Sequence, residues 1–206
     1  MESIPSPLPR VLLASRSPRR REFLSRAGVP HRAEHPGFDD AVLRPGRVTP
    51  REWVAALAYL KAWAGAALDC AGESEIVLGA DTTCVKHGRM LGTPADEQEA
   101  AAMLEAFSES EHEVITGVAM IERSTGRRHI FTDSASVRVG KLTDSMISDY
   151  LATGGWKGKA GGYNLSERVE AGWPIVFEGD ETTIMGLPMR ALLPMLARPR
   201  GERAKP

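Results

Sequence analysis

The sequence predicts an α/β fold with a mixed sheet, and three observations carry that reading. Two short apolar runs, Val11-Leu12-Leu13-Ala14 and Glu75-Ile76-Val77-Leu78-Gly79-Ala80, have the composition of buried strands. Helical segments with recognisable caps alternate with them. Two longer β-rich runs in mid-chain, 112–123 and 127–139, joined by Ser124-Thr125-Gly126, add antiparallel pairing.

The first strand breaks at Ser15-Arg16-Ser17-Pro18. Ser17 suits a helix N-cap, and Pro18 suits the first helical position, where the missing N–H would have been unpaired anyway. The helix runs through Glu22, Phe23 and Leu24 and stops near Gly28, which can take the left-handed conformation. Arg19, Arg20 and Arg21 therefore occupy its first turn, where the macrodipole is already positive. For structure alone that placement costs about 0.3–1 kcal/mol per exposed charge. A solvated basic patch leaves it unexplained. A cradle for phosphate or polyphosphate explains it, because free N–H groups, hydroxyls and guanidinium forks all bind anions.

Residues 30–48, rich in Pro, Gly, His and acid, read as a loop or irregular edge. Thr49-Pro50-Arg51-Glu52 is a capping box, opening a helix to about Ala67 with Trp53, Leu57 and Leu60 on one face. The second strand delivers Asp81-Thr82-Thr83, and Cys84–Lys86 extend it into a hairpin through His87-Gly88-Arg89. Pro94 and Asp96…Glu99 start a helix that turns Ala100, Met103, Leu104 and Phe107 inward. Thr143 caps another with Met146, Ile147, Tyr150 and Leu151. Residues 153–162 form a Gly/Lys loop around Trp156, Lys157 and Lys159. A strand follows at 174–177, and Gly186-Leu187-Pro188 introduces a last helix with Leu192, Leu193 and Leu196.

Composition bounds the class. The chain has 206 residues, 42% hydrophobic and 26% charged, which is ordinary for a soluble globular protein. A net charge of −1 argues against general attraction to nucleic acid or membranes, so the basic cluster is local. Two cysteines, Cys70 and Cys84, make neither a disulfide framework nor a zinc spacing and fit a reducing compartment. No secretory segment or membrane-spanning run stands out, and the expected location is cytoplasmic. Residues 1–197 are expected to form one domain, with 198–206 a basic, disordered tail.

Asp81 ends an apolar strand, where open α/β sheets place their ligands; there it either holds a divalent cation or orients and deprotonates water. Asp39 and Asp40 either share a metal with Asp81 or are solvated. Lys61 is either a snorkelling surface lysine or a phosphate contact. His112 reads as a hydrogen-bonded structural histidine. Neither a P-loop nor a dinucleotide-binding glycine fingerprint is present.

Five ordered motifs go further: Leu13-Ala14-Ser15-x-Ser17-Pro18-Arg19-Arg20, Gly79-Ala80-Asp81-Thr82, His112-x-Val114-x-Thr116-Gly117-Val118-Ala119, Lys159-Ala160-Gly161-Gly162-Tyr163 and Gly186-Leu187-Pro188. In these the chain resembles the Maf family of nucleoside triphosphate pyrophosphatases, related in fold to the inosine triphosphate pyrophosphatases. The resemblance implies an elongated mixed β-sheet flanked by helices, two lobes with a central cleft, and a homodimer. It implies hydrolysis between the α- and β-phosphates of a nucleoside triphosphate, giving a monophosphate and pyrophosphate with a divalent cation (Mg²⁺, Mn²⁺ or Co²⁺). Asp81 matches the proton acceptor, and Asp40 and Asp81 are the implied metal ligands. Ser15, Arg19 and Arg20 match the phosphate-contacting motif, and Arg19 and Thr82 match positions linked to substrate selection. Lys61 matches a lysine of the second helix, and Lys159 joins it as a phosphate contact.

The chain also departs from the pattern. Gly92-Thr93-Pro94 replaces Gly-Lys-Pro, Asp40 shortens an expected glutamate, and Ser166 stands where a glutamine is linked to pyrimidine choice. Trp156 is similar to a branch acting on 7-methyl-GTP, although Ala-Gly-Gly-Tyr is not. A non-canonical or pyrimidine base is expected, with no choice among them. The second reading is a nucleotide-binding regulator linked to cell division with little turnover, motivated by Thr93 and Asp40.

Overall fold

A computed structural model of the chain describes residues 8–38 and 42–198. Asp39 and Asp40, and residues 199–206 of the expected tail, lie outside the described residues. The strands are β1 (Val11–Ala14), β2 (His31–Glu34), β3 (Ile76–Lys86), β4 (Arg89–Leu91), β5 (Ser110–Glu122), β6 (Arg128–Val139) and β7 (Ile175–Glu178). The helices are α1 (Pro18–Arg26), α2 (Pro50–Ala66), α3 (Glu97–Phe107), α4 (Asp144–Ala152), α5 (Leu165–Glu170), α6 (Glu181–Ile184) and α7 (Met189–Leu196), with 3-10 turns at Asp69–Glu73 and Ala160–Gly162.

All the strands join one mixed sheet in the order β2-β1-β3-β5-β6-β7, with β4 paired to β3. β1 is parallel to both its neighbours and the remaining pairs are antiparallel. The expected α/β class with antiparallel mid-chain pairing is what forms.

The long strand β3 forks the sheet. On its side away from β5, its first residues pair with β1 as far as Leu13↔Leu78, and its last pair with β4 from Cys84↔Leu91. Between them, Gly79 to Thr83 have no partner strand on that side among the described residues. Asp81 is the middle residue of this gap.

Period-two alternation gives β3, β5 and β6 one face that carries two separate cores. At one end Ile76, Leu78, Ala80, Val118 and Met120 pack with Leu24 of α1 and Leu192 and Leu196 of α7. At the other end Cys84, Val114, Val137 and Val139 pack with Phe107 of α3 and Tyr150 of α4. The boundary between the cores is polar. Thr82, Thr116 and Asp133 are register partners on three adjacent strands at that level.

Helix α2 covers the opposite face. Its capping box forms as the sequence predicts, with Thr49 Oγ1 accepting from Glu52 N and Glu52 Oε2 accepting from Thr49 N. Its inward stripe differs from expectation: Val54, Leu57, Ala58, Ala62 and Gly65 are buried, while Trp53 and Leu60 are partly exposed. The reason is close packing. A Cβ on Gly79 would lie 2.2 Å from Ala58 O, and one on Gly117 would lie 2.4 Å from Val54 O. At that separation only small residues fit beneath the helix.

Other expectations are adjusted locally. Ser17 caps α1 with Pro18 first, Gly28 takes φ 68° just beyond the helix, and Asp96 and Thr143 cap α3 and α4. The region 30–48, read as a loop or irregular edge, contains the regular edge strand β2. The short helices α5 and α6 were not anticipated, since each is too brief to show a 3.6-residue period.

Candidate active site

A cleft of about 510 Å³ opens where the sheet forks. Its walls come from the β1–α1 turn and first turn of α1 (Ser15–Arg20), from Lys61 of α2, from Asp81 and Thr82, from Thr93, from the Lys157–Ala160 loop, and from Asn164 and Gly186. Sequence positions from 14 to 186 thus converge on a single hollow.

Asp81 lies on the α2 face of β3, and Lys61 reaches it from α2: Lys61 Nζ donates to Asp81 Oδ1 at 2.6 Å, with both side chains largely buried. Of the two readings open for Lys61, the snorkelling surface lysine is excluded. Asp81 is the one carboxylate among the described residues that line the cleft.

The neighbouring arginines differ sharply. Arg20 is held by the protein: Nε donates to Gly186 O at 2.7 Å, Nη1 to Ala80 O at 2.8 Å and Ser15 Oγ at 3.3 Å, and Nη2 to Thr82 Oγ1 at 3.2 Å. This explains the Gly186 motif. The residue takes φ 102°, and a Cβ there would lie 3.3 Å from the Arg20 guanidinium. Arg19, by contrast, lines the cleft with its Nε buried and without an acceptor. Burial lowers its pKa from the ordinary value, opposed by the charge of Glu167 and by Tyr150. A buried guanidinium N–H lacking an acceptor is what an incoming anion would complete.

Ser15 adds a donor. Its Oγ accepts from Ser17 N at 3.1 Å and from Arg20 Nη1, which fills both lone pairs and leaves its O–H to be given away. Thr82 also lines the cleft, its hydroxyl bonded to Arg20 and to Thr116 Oγ1 at 2.9 Å.

Lys159 reaches the cleft through the Gly/Lys loop but is paired there, Nζ to Glu167 Oε2 at 2.7 Å. Asn164 Nδ2 donates to Glu167 Oε1 at 2.6 Å, and Ser166 Oγ donates to Asn164 Oδ1 at 3.1 Å. Burial pushes the Glu167 carboxyl up, but the hydrogen bonds and charges of Lys159, Asn164 and Arg19 outweigh it and hold the pKa low. Ser166 is not among the residues lining the cleft; it touches Asn164, which is. Sequence reasoning missed Asn164 and Glu167. Their three-residue spacing at the start of α5 was the available signal.

Thr93, in place of the expected lysine, does line the cleft. His112 is structural, as the sequence suggests: it is buried, stacked on Phe107, and bonded through Nε2 to Tyr163 Oη at 2.8 Å. Cys84 is buried, and burial pushes its thiol up to about 12, so it is no nucleophile.

The family model "Maf-like protein" matches residues 10–199. The chain belongs to the Maf family. A relative from Pelotomaculum thermopropionicum, described as a dTTP/UTP pyrophosphatase, is 39% identical over 91% of this chain and 95% of its own. One from Cereibacter sphaeroides with the same description is 41% identical over 91% and 93%. Among solved structures, the Staphylococcus aureus Ham1 protein aligns with 63% of the Maf chain and 71% of its own at 14% identity and a TM-score of 0.41. No helix among the described residues of this Maf protein is long and apolar enough to cross a membrane.

Proposed function

We propose that this Maf protein is a nucleoside triphosphate pyrophosphatase that acts on dTTP and UTP, releasing the monophosphate and pyrophosphate. The observation that carries the reading is the meeting, in one cleft, of the ion-paired Asp81 and the buried, acceptor-less Nε of Arg19. Water attacks the α-phosphorus and its proton passes to the Asp81 carboxylate, while the bond from that phosphorus to the bridging oxygen breaks. Lys61 fixes the orientation of the carboxylate through Oδ1. Arg19, the Ser15 hydroxyl and the N-terminus of α1 receive phosphate oxygens, and Lys159 contributes positive charge from the Gly/Lys loop. Arg20 acts through position, holding Ser15, Ala80 and Thr82 together. The choice of pyrimidine is supported by the descriptions of the relatives above.

The donor set suits a cation that arrives with its nucleotide. Among the described residues Asp81 is the cleft carboxylate that would hold it together with the phosphates, and Asp40, the other implied ligand, lies outside the described residues. Bound there, Mg²⁺, Mn²⁺ or Co²⁺ would neutralise charge on the leaving pyrophosphate. A homodimer and a cytoplasmic location complete the proposal.

The test is a panel of canonical and modified triphosphates assayed with each cation. dTTP and UTP are expected to show the highest kcat/KM. Preference for 7-methyl-GTP or another purine would overturn the assigned base. Tight nucleotide binding without cation-stimulated turnover would favour the regulator.

A further inference from the structure

The hydroxyls in the cleft can be sorted by where each proton goes. Thr116 Oγ1 lies 2.7 Å from Thr183 O, a carbonyl that can only accept, so Thr116 donates its single proton there. In the 2.9 Å contact between Thr82 and Thr116 the donor must then be Thr82. Thr82 Oγ1 also accepts from Arg20 Nη2, a group that can only donate. Its proton and one lone pair are used, and a lone pair remains. Thr183 Oγ1 in turn donates to Asp133 Oδ2, which anchors α6 beneath the row. Thr116 and Thr183 are fully buried, so water does not compete for these bonds.

At Thr82, the position that the family resemblance links to substrate selection, we propose that Thr116 fixes the polarity of the hydroxyl, so that only a lone pair faces the cleft and meets a hydrogen-bond donor of the nucleotide. The inference rests on the nucleotide reading above. Ser15 is the complement: both its lone pairs are filled, so it offers a proton, which ionised phosphate oxygens accept. Thr82 has no proton to offer a phosphate. Its partner is an N–H or O–H, and a nucleotide supplies these on its base or its sugar. The uracil and thymine imide carries an N–H at the ring position where cytosine carries only a lone pair, so an acceptor-only Thr82 facing the base separates UTP from CTP. Facing the sugar, it reads a hydroxyl instead.

The test measures kcat/KM ratios for UTP against CTP, 2′-deoxy-UTP and 3′-deoxy-UTP in the wild type, Thr116→Val and Thr116→Ser. Valine keeps the shape of threonine but removes the acceptor, so the Thr82 proton turns into the cleft. The UTP/CTP ratio is expected to fall about tenfold if the base is read, or one deoxy ratio if the sugar is read. Thr116→Ser is expected to restore it, which a merely structural role would not require. All three ratios within about twofold of wild type in Thr116→Val would overturn the proposal while leaving the pyrophosphatase reading intact. A wild-type chain that cleaves neither UTP nor dTTP overturns both. Should Thr116→Val not fold, Thr82→Val removes the cleft-facing lone pair directly, and an unmoved ratio there overturns the proposal equally.

Discussion

Arg20 donates to two backbone carbonyls and two hydroxyls drawn from the β1–α1 turn, β3 and the α6–α7 turn. Taking a cation away from a helix N-terminus would by itself be neutral or favourable. The bonds reverse that sign, because each of the four contributes about 0.5–1.5 kcal/mol net. Arg20→Ala is therefore expected to lower stability by about 2–4 kcal/mol, visible as a fall of roughly 5–15 °C in Tm. Unchanged Tm with a raised KM would instead make Arg20 a direct phosphate contact. Asp81→Asn has the opposite signature. The amide keeps the size and accepts the Lys61 hydrogen bond, so Tm should hold while kcat falls about 10²–10⁴-fold. Near wild-type kcat at saturating cation would remove Asp81 from the chemistry. Sequence alone grouped Arg19 and Arg20 as equals, since a motif records residue type and spacing but not where a guanidinium ends. Lys61 was ambiguous for the same reason.

At the scale of elements, the helix caps and the apolar runs were legible because their signals are local. The inward face of α2 was not. Large residues suggest an apolar stripe at Trp53, Leu57 and Leu60, but the sheet beneath has Gly79 and Gly117 and admits only small ones. Gly79→Ala tests this contact, since its Cβ would meet the backbone of α2 at 2.2 and 2.6 Å. Overpacking against backbone costs about 1–3 kcal/mol. The helix must lift, which also displaces Lys61 from Asp81, so kcat should fall along with Tm. A variant as stable and active as wild type would contradict the packing. The buried His112 of β5, stacked on Phe107 of α3, makes a second prediction. Burial above all, then the charge of Lys86, pushes its pKa down to about 4, with Glu111 opposing. In the unfolded chain it titrates near 6.5, so below that pH the unfolded state binds the extra proton and stability falls as pH drops toward 4. From pH 7.5 to 5 the loss assigned to this residue is roughly 2 kcal/mol. Urea unfolding at the two pH values should show it in wild type and show less of it in His112→Gln, which retains a partner for Tyr163. Equal pH dependence in the two would contradict the assignment.

For the whole molecule, the fork in β3 is the organising fact. β1 and β4 take opposite ends of one edge, a core forms at each end, and the unpaired middle exposes Asp81 between them. The class of fold was readable from strand and helix alternation. The fork was not, because only its β3–β4 half is a local hairpin, while its β1–β3 half pairs Val11 with Ile76, far apart in the chain. The row Thr82, Thr116, Asp133 was present in the sequence as polar breaks in apolar alternation, but only the register aligns them. The central claim is that this cleft directs water to the α-phosphorus of a pyrimidine triphosphate. The most direct measurement is hydrolysis of dTTP in ¹⁸O-labelled water with Mg²⁺, followed by ³¹P NMR and mass analysis of the products. The account predicts thymidine monophosphate carrying one ¹⁸O and unlabelled pyrophosphate in equal amounts. Orthophosphate with a nucleoside diphosphate, or label in the pyrophosphate, would contradict it.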